Sequence, residues 1–359
     1  MRIAPFVPLL FFLGLPFSRL DFFFCAQKKV GKAGGPPVEI PLDTTKNLTT
    51  IAFGSCNKLD KQPSLFGEIA ENKPDLFVWL GDIVYADTRD MKRLENMYKA
   101  LKTIPEYKKL MATSMICGIW DDHDYGENDA WGDYPMKKES REKLFDFLEI
   151  PKTSYLRKRE GAYQSYVFGK ANQKVRVILL DTRYFRDSLT PDETHQKRYV
   201  PNPTGTILGS AQWAWLEKEL AKKDAAVTIL ATSNQVVADD HGHEKWGNFP
   251  NERKKLLQLL GKTKPKNLII LSGDRHMAEI SKCSVPGLPY ALYDITSSGL
   301  THTRTMTNEE NRFRSGKHMY VARNFGVLKI DWAIPEKPVI NCQIRGQDNV
   351  LLGEEKITF

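Results

Sequence analysis

The five cysteines, at positions 25, 56, 117, 283 and 342, include no CxxC pair. That absence removes a zinc ribbon and a thioredoxin-type redox site, while the count leaves room for one or two disulfides. There is no G-x-S-x-G stretch, so a serine-hydrolase nucleophile elbow is excluded, and no P-loop to cradle a nucleotide. No internal repeat or low-complexity block occurs. Basic residues are in excess, with a net charge of +8 and a pI near 9.0. They are scattered along the chain, which reads mainly as solvated helix faces. The balance suits anionic partners such as phosphorylated compounds, nucleic acid or acidic membrane surfaces. An apolar run long enough to span a bilayer is also lacking. The run at 3–17, about 15 residues after Arg2, is short for a membrane span and suits an export signal. Cleavage after Ala26 would put the bulky Phe24 at the minus-three position, and Cys25 is a conceivable lipidation site. We expect residues 1–26 to be a signal peptide, 27–46 a tether and 47–359 one folded domain. The expected location is periplasmic, secreted or surface-anchored.

What is present is a repeated local pattern. Apolar, β-branched runs end, and chemically capable residues follow at once. Run 48–53 ends in GSCN, 76–80 in GDIVYAD, 115–120 in DDHD and 175–180 in DTRYF. Run 226–231 ends in TSNQ, 268–271 in SGDRH and 290–295 in TSSGLTH. Short continuous apolar runs bounded by turn residues predict buried strands. Helical patterns lie between several of them, at 63–71, 89–110 and 135–148. A further helix is capped by Ser210, and another at 251–260 stops at Gly261. Strands alternating with helices predict an α/β fold, whose ligands bind at the carboxyl ends of the strands. Segments 325–332 and 338–345 predict two more strands, joined by a turn at 335–337, that extend a sheet.

The residues at those ends form a donor set: Cys56, Asp82, Tyr85, Asp122, Asn234, Asp274 and His276. Carboxylates and an amide suit hard divalent ions. Thiolate, phenolate and imidazole together suit iron or another transition metal. A site with both sets and one shared carboxylate is what a two-metal hydrolase needs. Taken singly, each residue has a plainer reading. Cys56 alone is a buried small hydrophobe and Tyr85 a packed aromatic. Arg183 could pair with Asp181 or Asp187. His241, His243 and His302 fit a pocket rim or the surface, and Trp213 and Trp215 fit packing.

GDIVY, WDDHD and SGDRH, in that order, resemble the metal-binding motifs of the purple acid phosphatases. They are more similar still to the alkaline phosphatase D family, in which Cys, Asp and Asp replace three residues of those motifs. Here these are Cys56, Asp122 and Asp274. LLDTRYFR, LGSAQWAWLEKEL, HEKWGNFPNER and ITSSGLTH also resemble that family, so the likeness spans about residues 51–325. The resemblance implies a four-layer α/β/β/α metallophosphoesterase sandwich without the separate N-terminal β domain of many members. It implies a phosphomonoesterase or phosphodiesterase in which a two-metal-activated hydroxide attacks phosphorus in line. Asp82 would bridge the ions. Cys56, Tyr85 and His276 would bind iron (Fe3+), and Asp122 and Asp274 calcium (Ca2+). His123 would stabilise developing charge or protonate the leaving oxygen, and Arg183 would reach a phosphate oxygen. Asn57, Asp121, Asp124, Asn234, Gln235 and His302 would support the ligands or meet substrate. The substrate is expected to be a phosphate ester, and the chain a monomer with no stable protein partner. Two competing readings are an exported metal-binding protein without turnover and a glycosidase. The Cys and Tyr donors make no sense in the glycosidase.

Overall fold

The computed structural model describes residues 42–359, apart from 307 and 317. The expected signal peptide, Cys25 and the tether up to residue 41 lie outside the described residues. In chain order the first elements are β1 (Thr50–Gly54), α1 (Phe66–Glu71), β2 (Leu76–Leu80), α2 (Met91–Leu101), α3 (Pro105–Thr113), β3 (Met115–Ile119), α4 (Asp122–Tyr125) and α5 (Lys137–Phe147). There follow β4 (Gln164–Phe168), β5 (Val175–Leu179), β6 (Thr190–Pro191), β7 (Tyr199–Val200), α6 (Gly209–Ala221), β8 (Val227–Ala231) and α7 (Pro250–Thr263). The chain closes with β9 (Leu268–Ser272), β10 (Ala278–Cys283), β11 (Leu292–Ser297), β12 (Asn324–Asp331), β13 (Val339–Gly346) and β14 (Leu351–Ile357).

Two six-stranded sheets carry the fold, ordered β14-β13-β12-β1-β2-β3 and β10-β11-β9-β8-β5-β4. Strand alternation explains the layers. In β2, Leu76, Val78 and Leu80 point into an apolar layer shared with Val177, Leu179, Ile229 and Ile269 of the second sheet. Phe77 and Trp79 point the other way, onto Phe66, Leu94, Tyr98 and Leu110 of the first helical layer. On the far face of the second sheet, Ile178, Leu230 and Ile270 pack against Trp213, Leu216, Leu256 and Leu260 of α6 and α7. The layers therefore run α/β/β/α, as the resemblance implies. Both faces of the central strands are buried, which is why they read as unbroken apolar runs.

Three local expectations are corrected. The helix expected at 89–110 is two helices, because Pro105 cannot continue α2. Ile104 before it is extended, and Pro105 starts α3 instead. Ser210 does not cap α6, whose cap residue is Leu208; Thr206 Oγ1 accepts the Gly209 N–H at 3.0 Å in its place. Gly261 does not stop α7, which runs on to Thr263. A side chain there would lie 2.1 Å from the Pro286 carbonyl oxygen, so the glycine permits a close approach of two segments. The room left for disulfides is not used among the described residues, where Cys56, Cys117, Cys283 and Cys342 are all free.

Candidate metal centre

The parallel strands β1, β2 and β3, and likewise β5, β8, β9 and β11, end at one side of the two sheets. The loops after them carry the polar clusters. They fit together only because the backbone takes unusual turns. Cys56, Asp82, Asp274 and His276 all have positive φ, at 62°, 49°, 66° and 53°. Non-glycine residues in that region cost of order 1–3 kcal/mol each, and such positions concentrate at functional sites. Gly81 leads into Asp82 at φ +96°, and a Cβ there would meet Asp121 Cβ at 2.4 Å.

The donors converge on Asp82. Cys56 Sγ lies 3.4 Å and Tyr85 Oη 3.0 Å from Asp82 Oδ2, and Tyr85 Oη lies 3.0 Å from His276 Nε2. His302 stands beside them, with Nε2 3.4 Å from Tyr85 Oη. Ligand atoms of Cys56, Asp82 and His276 all fall within 4.8 Å of one another, as do those of Asp82, Asp122 and His123. Asp82 thus belongs to both groups. It is buried, and its Oδ1 has no hydrogen-bond partner. Asp274 faces the same cleft, a cavity of about 150 Å³ that also takes in Asp82, Asp122, His123 and His276.

Electrostatics describe a centre short of positive charge. Burial, opposed by the His123 charge and reinforced by Asp122, pushes the Asp82 carboxyl well above its ordinary range. Burial, with Asp121 adding, raises Asp274 to about 7. Burial raises the Cys56 thiol and the Tyr85 phenol, and Asp82 adds to both. Burial, with His302 and Arg304 adding, holds His276 down to about 3, so its imidazole is neutral and free to ligate. His123 runs the other way. Burial works against its charge, but Asp82, Asp122 and Asp87 prevail and raise it to about 10. Buried acids with an orphaned oxygen, beside a thiol, a phenol and a neutral imidazole, fit a pair of cations.

The remaining expected residues do other work. Arg183 is fully buried, with Nε donating to Asp121 Oδ1 at 2.6 Å and Nη1 lying 3.0 Å from Glu244. Its guanidinium thus pairs with Asp121 and Glu244, and only its backbone N–H reaches Asp181 Oδ1, at 3.0 Å. Opening such a buried pair from one side costs about 3–5 kcal/mol, so Arg183 positions Asp121 and its neighbour Asp122. Asp124 accepts the N–H groups of Asp121, Asp82 and Ile83 at 2.8, 3.2 and 3.3 Å, tying the loops after β2 and β3 together. Asn57 donates to the Ile83 carbonyl at 2.9 Å and braces the Cys56 loop. Gln235 Nε2 donates to Glu279 and Thr296 and its Oε1 accepts from Arg275 Nε, so both ends of the amide already have protein partners. Asn234 is buried, with its Nδ2 unpartnered.

Sequence reasoning missed three carboxylates. Asp87 Oδ1 lies 2.7 Å from His123 Nδ1, and the Tyr85 ring stacks on the same imidazole with centroids 4.1 Å apart. His123 Nε2 is left as the free ring nitrogen. Asp129 and Glu244 have ligand atoms within 4.8 Å of Asp122. Asp87 and Glu244 both lie inside motif runs, GDIVYAD and HEKWGNF, where their positions were legible but their partners were not.

Residues 51–327 match the PhoD-like phosphatase family. The chain belongs to that family. Alkaline phosphatase D of Bacillus subtilis (strain 168) is 22% identical to it over 286 residues, which are 66% of this chain and 47% of that protein. The chain thus spans about half the length of that relative. Among solved structures it is similar to PhoD, with a TM-score of 0.65 and 17% identity over 90% of this chain and 70% of the other. It is also similar to a dimetal phosphatase from Danio rerio, with a TM-score of 0.50 and 14% identity over 88% of this chain and all of the other. These likenesses are ones of fold, and they agree with the layered α/β architecture.

Proposed function

We propose that this chain is an exported, metal-dependent hydrolase of phosphate mono- or diesters. The observation that carries the reading is Asp82: a buried carboxylate with one oxygen unpartnered, set between Cys56, Tyr85 and His276 on one side and Asp122 on the other. Membership of a phosphatase family and the fold shared with a dimetal phosphatase support it. Export rests on the apolar run after Arg2. The proposed assignment gives Cys56, Tyr85 and His276 to an iron ion and Asp122 and Asp274 to a calcium ion, with Asp82 reaching both. Two such cations would supply an activated water and a clamp on the phosphoryl oxygens.

The chain's own contribution beyond holding ions is His123. Asp87 fixes its ring through Nδ1 and favours its protonated form, and Tyr85 stacks on it. Nε2–H can then donate to the oxygen that leaves phosphorus. Metal storage without turnover needs neither the Asp87 bond nor a charged imidazole, so the hydrolase reading is preferred to the alternative. His123→Ala should lower kcat by about 10²–10⁴-fold and leave metal content unchanged. Loss of metal together with activity would mean that His123 is a ligand.

A further inference from the structure

The cleft has two unlike walls. One is the acidic, metal-facing wall just described. The other carries Arg198, Arg275, Arg304 and His243. We propose that this basic wall is a subsite for a second anionic group, so that the substrate is a phosphate ester bearing another phosphate a few atoms from the scissile one. The inference rests on the hydrolase reading and narrows its substrate class.

The balance of charge supports it. Glu309 serves Arg275, whose Nη2 donates to it, and also Arg304, whose Nη1 lies 2.7 Å from Oε2. Arg198 pairs with Asp129. Three guanidiniums therefore share two carboxylate partners, and the further acid whose charge they feel, Asp274, is one the proposed assignment gives to a metal ion. His243, with Nε2 3.7 Å from Glu309, is held down to about 4 by burial and by Arg275 and Arg304, so it is neutral and adds no charge. Burying guanidiniums beside one another is costly, and a structural ion-pair network would be balanced by a second acid. Here the shortfall opens onto the cleft.

Position supports it too. Arg304 sits beside the metal-facing groups because its backbone N–H donates to the His276 carbonyl at 2.8 Å. Arg275 immediately precedes His276 in the chain, and Gln235 Oε1 accepts its Nε at 3.2 Å. Arg198 reaches Asp129, which adjoins Asp122. Arg304 and Arg198 keep side-chain exposures of 19% and 50%, so a ligand can reach them, while Arg275 at 1% is their fixed backing. A guanidinium fork matches phosphate oxygens two at a time. The two proposed cations would neutralise the scissile group, which leaves this wall for another.

The test is calorimetric binding of thymidine 3′-phosphate and thymidine 3′,5′-bisphosphate to the metal-loaded full chain at 0.15 M salt. The bisphosphate should bind at least about tenfold tighter. That ratio should fall to about one or two in Arg304→Gln and in Arg198→Gln; the second is half exposed and does not threaten the fold. Equal affinities in the unaltered protein, no binding of either compound, or a ratio that survives both substitutions would overturn the subsite. Turnover of bis(4-nitrophenyl) phosphate, which carries one charge, is read in the same preparation. Its absence would count against the hydrolase reading, while the binding ratio still decides for or against the basic wall.

Discussion

Asp82→Asn should reduce turnover by about 10³-fold or more, and should change stability in opposite directions with and without metal. Burial is the cause of both effects. The Asp82 carboxyl lies among Asp121, Asp122 and Asp124, with one oxygen unpartnered. Without a cation this is a destabilising arrangement of like charges and an unmet acceptor. Asparagine has the same shape without the charge, so the chelated variant should melt above the chelated parent. With metal present the order reverses, because the variant loses the carboxylate that reaches both ions. Thermal melts with and without chelator, alongside metal analysis, read both effects. An active, fully metallated variant would remove Asp82 from the centre. A shift of the same sign in both states would make its role purely structural.

The metal-free protein should lose stability as pH rises from about 6.5 to 8, and the metal-loaded protein should not. Asp274 and Asp124 are raised mainly by burial, to about 7 and about 8, from an ordinary value of 3.8. His123 is raised to about 10, its carboxylate neighbours outweighing burial. In each case the folded pKa exceeds the unfolded one. The folded state then holds a proton that the unfolded state has released, and the stability it confers is lost as pH climbs through the folded value. His276 and His302 are depressed mainly by burial, to about 3 and about 4. Their contribution rises with pH only up to the unfolded value of 6.5, so inside the window it is constant. Lys245, depressed to about 8 mainly by burial, opposes the trend only above that pH. Bound cations require the ligands deprotonated, so loading removes the trend. The melting-temperature gap between loaded and chelated protein should widen by roughly 5 °C across the window, at about 2 °C per kcal/mol for a domain this large. Parallel curves would show that these groups do not titrate in the folded chain.

Much of this arrangement was legible in the sequence, for a physical reason. Strands buried on both faces must be apolar throughout, so β2, β3, β5, β8 and β9 announce themselves, and the loops at their ends hold the polar groups. The misses follow from the same logic. β10 contains Glu279, a buried carboxylate paired with Arg314 and Gln235, which interrupts any apolar pattern. β14 is an edge strand with exposed Glu354 and Lys356, so only its partner strand reveals it. Pairing across loops was also hidden. Nothing local says that Arg183 turns inward to Asp121, or that Asp87 holds His123. Such contacts depend on how two separate strand ends are aimed.

The central claim is that Asp82 and the donors around it hold two cations on which phosphate-ester hydrolysis depends. The most direct measurement is elemental analysis of the purified chain, joined to its rate on 4-nitrophenyl phosphate and bis(4-nitrophenyl) phosphate before chelation, after it and after metal return. The account predicts two ions per chain, with iron one of them, and turnover that disappears with the metal and comes back with it. A metal-free chain that turns over either ester at the full rate would contradict it.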